Sequence, residues 1–270
     1  VGATAGAGKA QMNGADNSAA TVNVLSNATL FAPVGSHGAA VVLRGGDTGE
    51  SVGQLRLDSG AVWTGPITLE GPITTTGDGH IGANSGQSII SGAIGQRGDN
   101  QSLTKTGSGT NYLTGANTYA GPTWIRNGAL RVDSLGSVGG GASGLGSPTT
   151  PAQGAVRFGT VSTNGTLIYS GPGETSDRTI ELANTSGKAT LWLGGSNVLT
   201  LTGNVISTTD GNKQLYLYGS SAGVTGVLAG VFSDYGSASS NSLYKAGPCA
   251  WVLANNNTFK GNVVAEDGAL

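Results

Sequence analysis

LTKTGSGTNYLTGANTYAGPTWIRNGALRV, residues 103–132, is the stretch whose reading decides the fold. It reads as a short strand, a Gly/Asn-rich corner, a second strand and another Gly corner. Residues 243–270, LYKAGPCAWVLANNNTFKGNVVAEDGAL, repeat it. A shift of 140 positions superposes Lys105 on Lys245, Gly107 on Gly247, Leu113 on Leu253 and Asn117-Thr118 on Asn257-Thr258. Tyr119 then falls on Phe259, Gly121 on Gly261, and Gly128-Ala129-Leu130 on Gly268-Ala269-Leu270. A unit that recurs at one offset points to stacked repeats, because such a unit cannot bury its apolar edge alone.

The two segments resemble the autotransporter-associated β-strand repeat, roughly L-x-K-x-G-x-G-T-L-x-L-x-G-x-N-T-Y-x-G-x-T-x-I-x-x-G-x-L. The first copy matches nearly throughout, and the second keeps the Gly and Asn positions. Asn111 stands where the family has an inward Leu, and Pro248-Cys249 replaces small residues around the second Gly. The resemblance implies a large exported bacterial surface protein whose passenger region is a right-handed parallel β-helix. It implies fold and extracellular location, and speaks little to activity. The residues expected to define the repeat are Gly107, Leu113, Asn117, Tyr119, Gly121 and Gly128, with Gly247, Leu253, Asn257, Phe259, Gly261 and Gly268.

Working outward, composition agrees with a solenoid. Gly supplies 49 of 270 residues, and charged residues are only 10% against roughly 25% in ordinary globular domains. Val, Ile, Leu and Thr nevertheless recur in alternation, which disordered chains lack. A net charge of −2 without any Lys/Arg cluster argues against nucleic acid and other polyanions. One cysteine, Cys249, excludes an internal disulfide framework and reads as a small semi-buried residue. No apolar run reaches the roughly 20 residues of a membrane-spanning helix. The sequence starts without Met and stops inside the second repeat, so a fragment of a longer chain is expected.

Residues 1–21 show no strand alternation and read as a connecting or upstream segment. From residue 22 onward one continuous β-helix is expected, with two tandem modules over about 22–132 and 154–270. Ile67-Thr68-Leu69 echoes Leu199-Thr200-Leu201, and Ile89-Ile90 echoes Val227-Leu228. The offset drifts between these matches, which places the indels in loops. The Gly/Ser/Pro-rich stretch 133–153 reads as a loop protruding from the rod, and essentially no α-helix is expected. Coils of about 20–25 residues would number eleven to thirteen and give a rod on the order of 55 Å. Corner glycines supply positive φ. Asn117 and Asn257 are expected to tolerate left-handed geometry there and to allow an Asn ladder.

Chemical motifs weigh little. Residues 5–10, AGAGKA, resemble the end of a phosphate-binding loop but lack its first Gly and its Ser/Thr. Gly219-Ser220-Ser221-Ala222-Gly223 matches a nucleophile elbow in letters only, with no helix start and no His after it. Asp78-Gly79-His80 reads as an exposed turn, and two histidines without paired acids argue against zinc. The Gly/Asp clusters at 45–50 and 210–212 offer oxygen ligands for weak Ca²⁺ binding. Asp177 and Glu181 share a face, and Arg178 beside them reads as a surface ion pair, so no acid pair for glycoside hydrolysis is expected. No cofactor, metal or catalytic residue is expected.

Aromatic residues are the better lead. In Leu215-Tyr216-Leu217-Tyr218 the leucines take one face, which sends Tyr216 and Tyr218 outward. The same parity places Tyr112 outward and Trp251 inward with Leu253. Outward tyrosines serve to stack on sugars or dock a neighbouring rod, unless the 133–153 loop covers them. The chain is therefore expected to be a non-catalytic stalk, adhesin passenger or filament building block. Its partners would be itself, head-to-tail or laterally, or host and matrix glycans or proteins. A glycan-binding or glycan-cleaving β-helix is the alternative.

Overall fold

The computed structural model describes residues 9–11, 19, 21–26, 28–45, 53–71, 78–160 and 162–270. Among these, regular structure is β throughout, in short strands of three to six residues with no α-helix. The strands pair in parallel in every ladder. They build three faces: a nine-stranded sheet, a ten-stranded sheet, and a third face split into two four-stranded sheets. The chain visits the faces in turn. Ile67–Leu69 lies on the third face, Asp78–Ala83 on the nine-stranded, Gln87–Ile90 on the ten-stranded and Ile94–Gln96 on the third again. This is a parallel β-helix. Lys9–Gln11, inside the segment read as connecting, already pairs with Thr29–Ala32.

Nine to ten stacked strands per long face make a rod on the order of 45 Å at about 4.8 Å per coil. The expected eleven to thirteen coils are too many because coil length varies. Register places Leu103 on Thr123, Thr123 on Val156 and Val156 on Ile180. Those coils take 123 − 103 = 20, 156 − 123 = 33 and 180 − 156 = 24 residues. The long one carries the 133–153 stretch.

Period-two alternation sets the core. In Lys188–Leu193, Ala189, Leu191 and Leu193 point in while Lys188, Thr190 and Trp192 point out. Inward residues of successive coils form rows, one being Leu55, Ile81, Lys105, Ile125, Phe158 and Leu182. All six are buried. Lys105 sits in that row by its apolar stem and folds its head into the corner. Its Nζ donates to the carbonyls of Thr106, at 2.5 Å, Gly107, at 2.8 Å, and Asn127, at 3.1 Å. Lys245 repeats this on Ala246, Gly247 and Asp267 at 3.2, 2.7 and 2.9 Å.

The repeat glycines serve two different needs. Gly107, Gly128, Gly247 and Gly268 have φ between 67° and 76°, the left-handed region that costs a side-chain-bearing residue about 1–2 kcal/mol. Gly121 and Gly261 do not; they are places of close backbone approach. A Cβ on Gly121 would lie 2.6 Å from the carbonyl oxygens of Asn100 and Gln101, and one on Gly261 2.1 Å from that of Asn241. Gly121→Ala is expected to pry adjacent corners apart and destabilise by about 1–3 kcal/mol, read by urea denaturation. An unchanged midpoint would show that the corner has room to spare.

The corner asparagines work otherwise than expected. Asn100 is the one non-Gly residue with positive φ among those described, so Asn117 and Asn257 are not left-handed. Each caps the coil beneath with its side chain. Asn117 Oδ1 accepts from Ile94 N–H at 2.9 Å, and Asn257 Oδ1 from Phe232 N–H at 2.8 Å. No Asn-on-Asn ladder is needed.

The two sequence copies occupy different faces. Ser102–Thr106 lies in the nine-stranded sheet, whereas its counterpart Ser242–Ala246 lies in the ten-stranded one. Between Leu199–Leu201 and Thr225–Leu228 the chain makes two strands, Val205–Ser207 and Gln214–Gly219. Between Ile67–Leu69 and Gln87–Ile90 it makes one, Asp78–Ala83. The offset drift therefore includes a whole extra strand rather than loop indels alone. The motif encodes strand, corner and strand, and any of three similar faces accepts it.

Three further expectations are corrected. Asp78-Gly79-His80 is no exposed turn: it opens a six-residue strand, and His80 is buried under the next coil. The 133–153 stretch does not protrude along its length, because Leu135, Ser143 and Leu145 are buried. Ser143 bridges Asn117 antiparallel, and only 139–142 and 149–152 stand out in solvent. Finally, Arg178 is buried, and its guanidinium holds that loop.

Candidate functional site

Few side chains of the outer surface combine size with a shared direction, and the ten-stranded face holds most of them. Register aligns Tyr112, Arg131, Ile168, Trp192 and Tyr218 in one outward row across five consecutive strands. Thr190, Tyr216 and Tyr244 form the row beside it. All are half-buried, each covered by its neighbours along the rod and open above. The outward placement of Tyr112, Tyr216 and Tyr218 follows from the buried parity of Leu113, Leu215 and Leu217.

Ring geometry decides what the face offers. Tyr216 stacks on Tyr244 at 4.6 Å with planes 6° apart, and Lys188 Nζ lies 4.7 Å from the Tyr216 centroid. Ammonium, ring and ring make a column along the rod, so Tyr216 presents its edge and hydroxyl outward. Trp192 and Tyr218 meet edge to face at 4.7 Å and 76°. Arg131 lies 4.3 Å over the Tyr112 ring and gives its Nε–H to Ser170 Oγ at 2.8 Å. Tyr112 gives its hydroxyl hydrogen to Asp133 Oδ2 at 2.6 Å. Burial first, then this bond, raises the Tyr112 pKa above its ordinary value. At the corners beyond Ile168 and Trp192, an open depression of about 440 Å³ is lined by Ser170, Gly171, Pro172, Gly194, Gly195 and Ser196.

The loop does not cover this face. Beyond Asp133, which holds the Tyr112 hydroxyl, the loop turns to the third face, where Leu135 N–H and Gly136 N–H donate to Glu174 and Val138 N–H to Asp177. Ser147 N–H reaches the Tyr119 carbonyl at 2.9 Å. Tyr119 itself is wholly buried, sharing a hydrogen bond with Thr123 Oγ1 at 2.7 Å, and burial pushes it up to about 12. Its counterpart Phe259 is half-buried and packs on Phe232 at 4.5 Å. Leu113 and Trp251 are buried, while Leu253 is half-buried.

The motifs for chemistry are not drawn together. Glu181 is bound by Arg157 at 2.6 Å, and Asp177 serves the loop backbone, so the two carboxylates have separate structural tasks. The 210–212 corner has its carbonyls engaged: Lys213 Nζ donates to those of Thr209, Asp210 and Gly211. An ammonium thus stands where a cation would. Among the described residues no three His, Cys, Asp or Glu side chains converge as metal ligands. The 46–50 part of the other Gly/Asp cluster and residues 5–8 lie outside the described residues. Cys249 is free and buried. Sequence reasoning missed Lys105, Lys245 and Arg178; the repeated lysine was the signal available for the first two.

Comparison with known proteins agrees with the architecture. The passenger-associated-transport-repeat family matches residues 103–132. The adhesin BmaC autotransporter of Brucella suis biovar 1 (strain 1330) is 35% identical over 210 residues. The match covers 76% of this chain and 6% of that protein, so the chain spans a small part of that relative's length. No solved structure matches.

Proposed function

The chain belongs to the autotransporter-associated repeat family of bacterial surface proteins, cell-surface or extracellular, and from that premise we propose that it is a non-catalytic adhesive passenger segment. The stacked coils act as a stiff stalk. The outward face of the ten-stranded sheet makes the contact with a host or matrix macromolecule.

One observation carries this reading. Over the strands from Thr110–Leu113 to Ser242–Ala246, the outward positions of that face hold no carboxylate, although the chain has 15 acids. They hold Trp192, four tyrosines, two cations and several threonines. Aromatic and Arg side chains dominate the energetics of contact surfaces, and acids are depleted there. The nine-stranded face differs, since its outward Arg157 is neutralised by Glu181. Because both faces of Tyr216 are taken, a partner meets ring edges and hydroxyls. That favours a broad macromolecular surface over a single sugar stacked on Tyr216.

Binding of the purified chain to host cells and to matrix-coated surfaces tests it. Trp192→Ala with Tyr218→Ala is expected to weaken binding at least about tenfold, since two central aromatics carry on the order of 2 kcal/mol or more. Arg157→Ala with Glu181→Ala on the opposite face is expected to leave binding unchanged. Equal binding by both double variants would sink the assignment of the face. A circular-dichroism melt of each variant separates lost contact from lost fold.

A further inference from the structure

The corner closing the first repeat copy is Asn127-Gly128, and its counterpart in the second is Asp267-Gly268. The two corners have the same geometry. Gly128 N–H donates to Asn127 Oδ1 at 2.9 Å, and Gly268 N–H to Asp267 Oδ1 at 2.8 Å. Gly128 has φ 67° and Gly268 φ 74°. Lys105 Nζ donates to the Asn127 carbonyl at 3.1 Å, and Lys245 Nζ to that of Asp267 at 2.9 Å. The same corner is thus built with an amide in one copy and an acid in the other.

We infer that Asn127 is a self-modification site, at which the Gly128 backbone nitrogen expels the side-chain amide and the corner becomes an aspartate. The Gly128 nitrogen attacks Asn127 Cγ, forming an N–Cγ bond and a five-membered imide. The Cγ–Nδ2 bond breaks, and Nδ2 leaves as ammonia with the hydrogen formerly on Gly128. Water then opens the imide, placing hydroxyl on Cγ and hydrogen back on nitrogen; opening at the other carbonyl gives the isomeric β-linked residue. The net reaction consumes one water and releases one ammonia, with no oxidant or metal.

Four features favour the step at this corner. The 2.9 Å hydrogen bond from Gly128 N–H to Oδ1 holds the side-chain amide beside the backbone nitrogen that attacks it, so no rotamer search precedes ring closure once that hydrogen is lost. Glycine leaves that nitrogen unshielded. When the Gly128 amide ionises, charge spreads onto the Asn127 carbonyl oxygen, where the Lys105 N–H already points, a preorganised stabilisation of developing charge. Asn127 is also half-buried, within reach of water. Asn164-Gly165 is the internal control. There Asn164 Oδ1 is held by Lys188 N–H of the next coil at 2.9 Å, and Gly165 is paired between Gly128 and Ala189 in the sheet.

The chain is incubated at neutral pH, folded in buffer and unfolded in concentrated urea, and amide-to-acid conversion is followed by peptide mass mapping. In the folded chain Asn127 is expected to convert at least as fast as in urea, and Asn164 to be slowed at least about tenfold. Protection of Asn127 equal to that of Asn164 would overturn the inference. Asn127→Asp supplies a second test, since it should fold with an unchanged urea midpoint; a clear loss would show that the first corner does not accept the product.

Discussion

Arg178→Ala is expected to release the 133–154 segment from the rod and to cost about 3 kcal/mol or more. The guanidinium is buried, and among the described residues no carboxylate is bonded to it. Its Nε donates to Leu135 O at 2.7 Å and Gly136 O at 3.2 Å, Nη1 to Gly154 O at 3.3 Å, and Nη2 to Gly146 O at 3.3 Å and Ser143 Oγ at 3.4 Å. Truncation removes all five of these charge-assisted bonds. Ser143 Oγ still serves Leu135 O and Gly146 O, and Ser176 Oγ still serves Gly136 O. Gly154 O loses its donor, and an unsatisfied buried acceptor costs about 1–3 kcal/mol. Burial lowers the Arg178 pKa, opposed by the charges of Asp177 and Glu174. Arg178→Lys keeps a charge but has one compact head in place of a planar fork, so it should recover less than half of the loss. Limited proteolysis reads the result directly: cleavage near the solvent-exposed 139–142 tip should accelerate in both variants. A digestion pattern and urea midpoint like the parent's would show that the loop is held by its other contacts.

Lys105→Met is expected to have the second large effect. Methionine keeps the unbranched stem in the aliphatic row, so the change isolates the three carbonyls of Thr106, Gly107 and Asn127. The expected loss is about 2–3 kcal/mol. The lysine also gives the chain a pH dependence. Burial lowers Lys105 from 10.5 to about 7, so between those values the unfolded chain holds a proton that the folded chain has given up. Stability therefore rises with pH across that window, and the gap between parent and variant widens. Tyr119 acts in the opposite sense. Its folded pKa of about 12 lies above the ordinary 10, so its contribution is present below pH 10 and is lost as pH rises towards 12. Urea midpoints of parent and Lys105→Met at pH 7, 8.5 and 10 check the sign. A parent whose midpoint falls from pH 7 to 10 while the variant's stays level would refute the role given to Lys105.

The alternation of Leu215-Tyr216-Leu217-Tyr218 and the spacing of Gly107, Gly121 and Gly128 made a solenoid of short strands readable from the sequence, and the resemblance to the autotransporter-associated repeat implied that its strands run parallel. Inward and outward sense, corner position and the outward direction of Tyr112, Tyr216 and Tyr218 are local properties, fixed by a two-residue period and by backbone angles. Depth was another matter. Whether Lys105, Arg178 or His80 lies in water depends on coils and loops twenty to forty residues away. A charged residue reads as exposed until the carbonyls that surround it are placed. The same limit hid the stacking of Tyr216 between Lys188 and Tyr244, which turns the ring edge outward. It also hid the shift of the second copy onto another face. Sequence alone determined the strand-corner-strand unit, because that unit is built from near neighbours. Tertiary structure alone decided coil number, face and burial of charge, because those depend on what the next coil brings alongside.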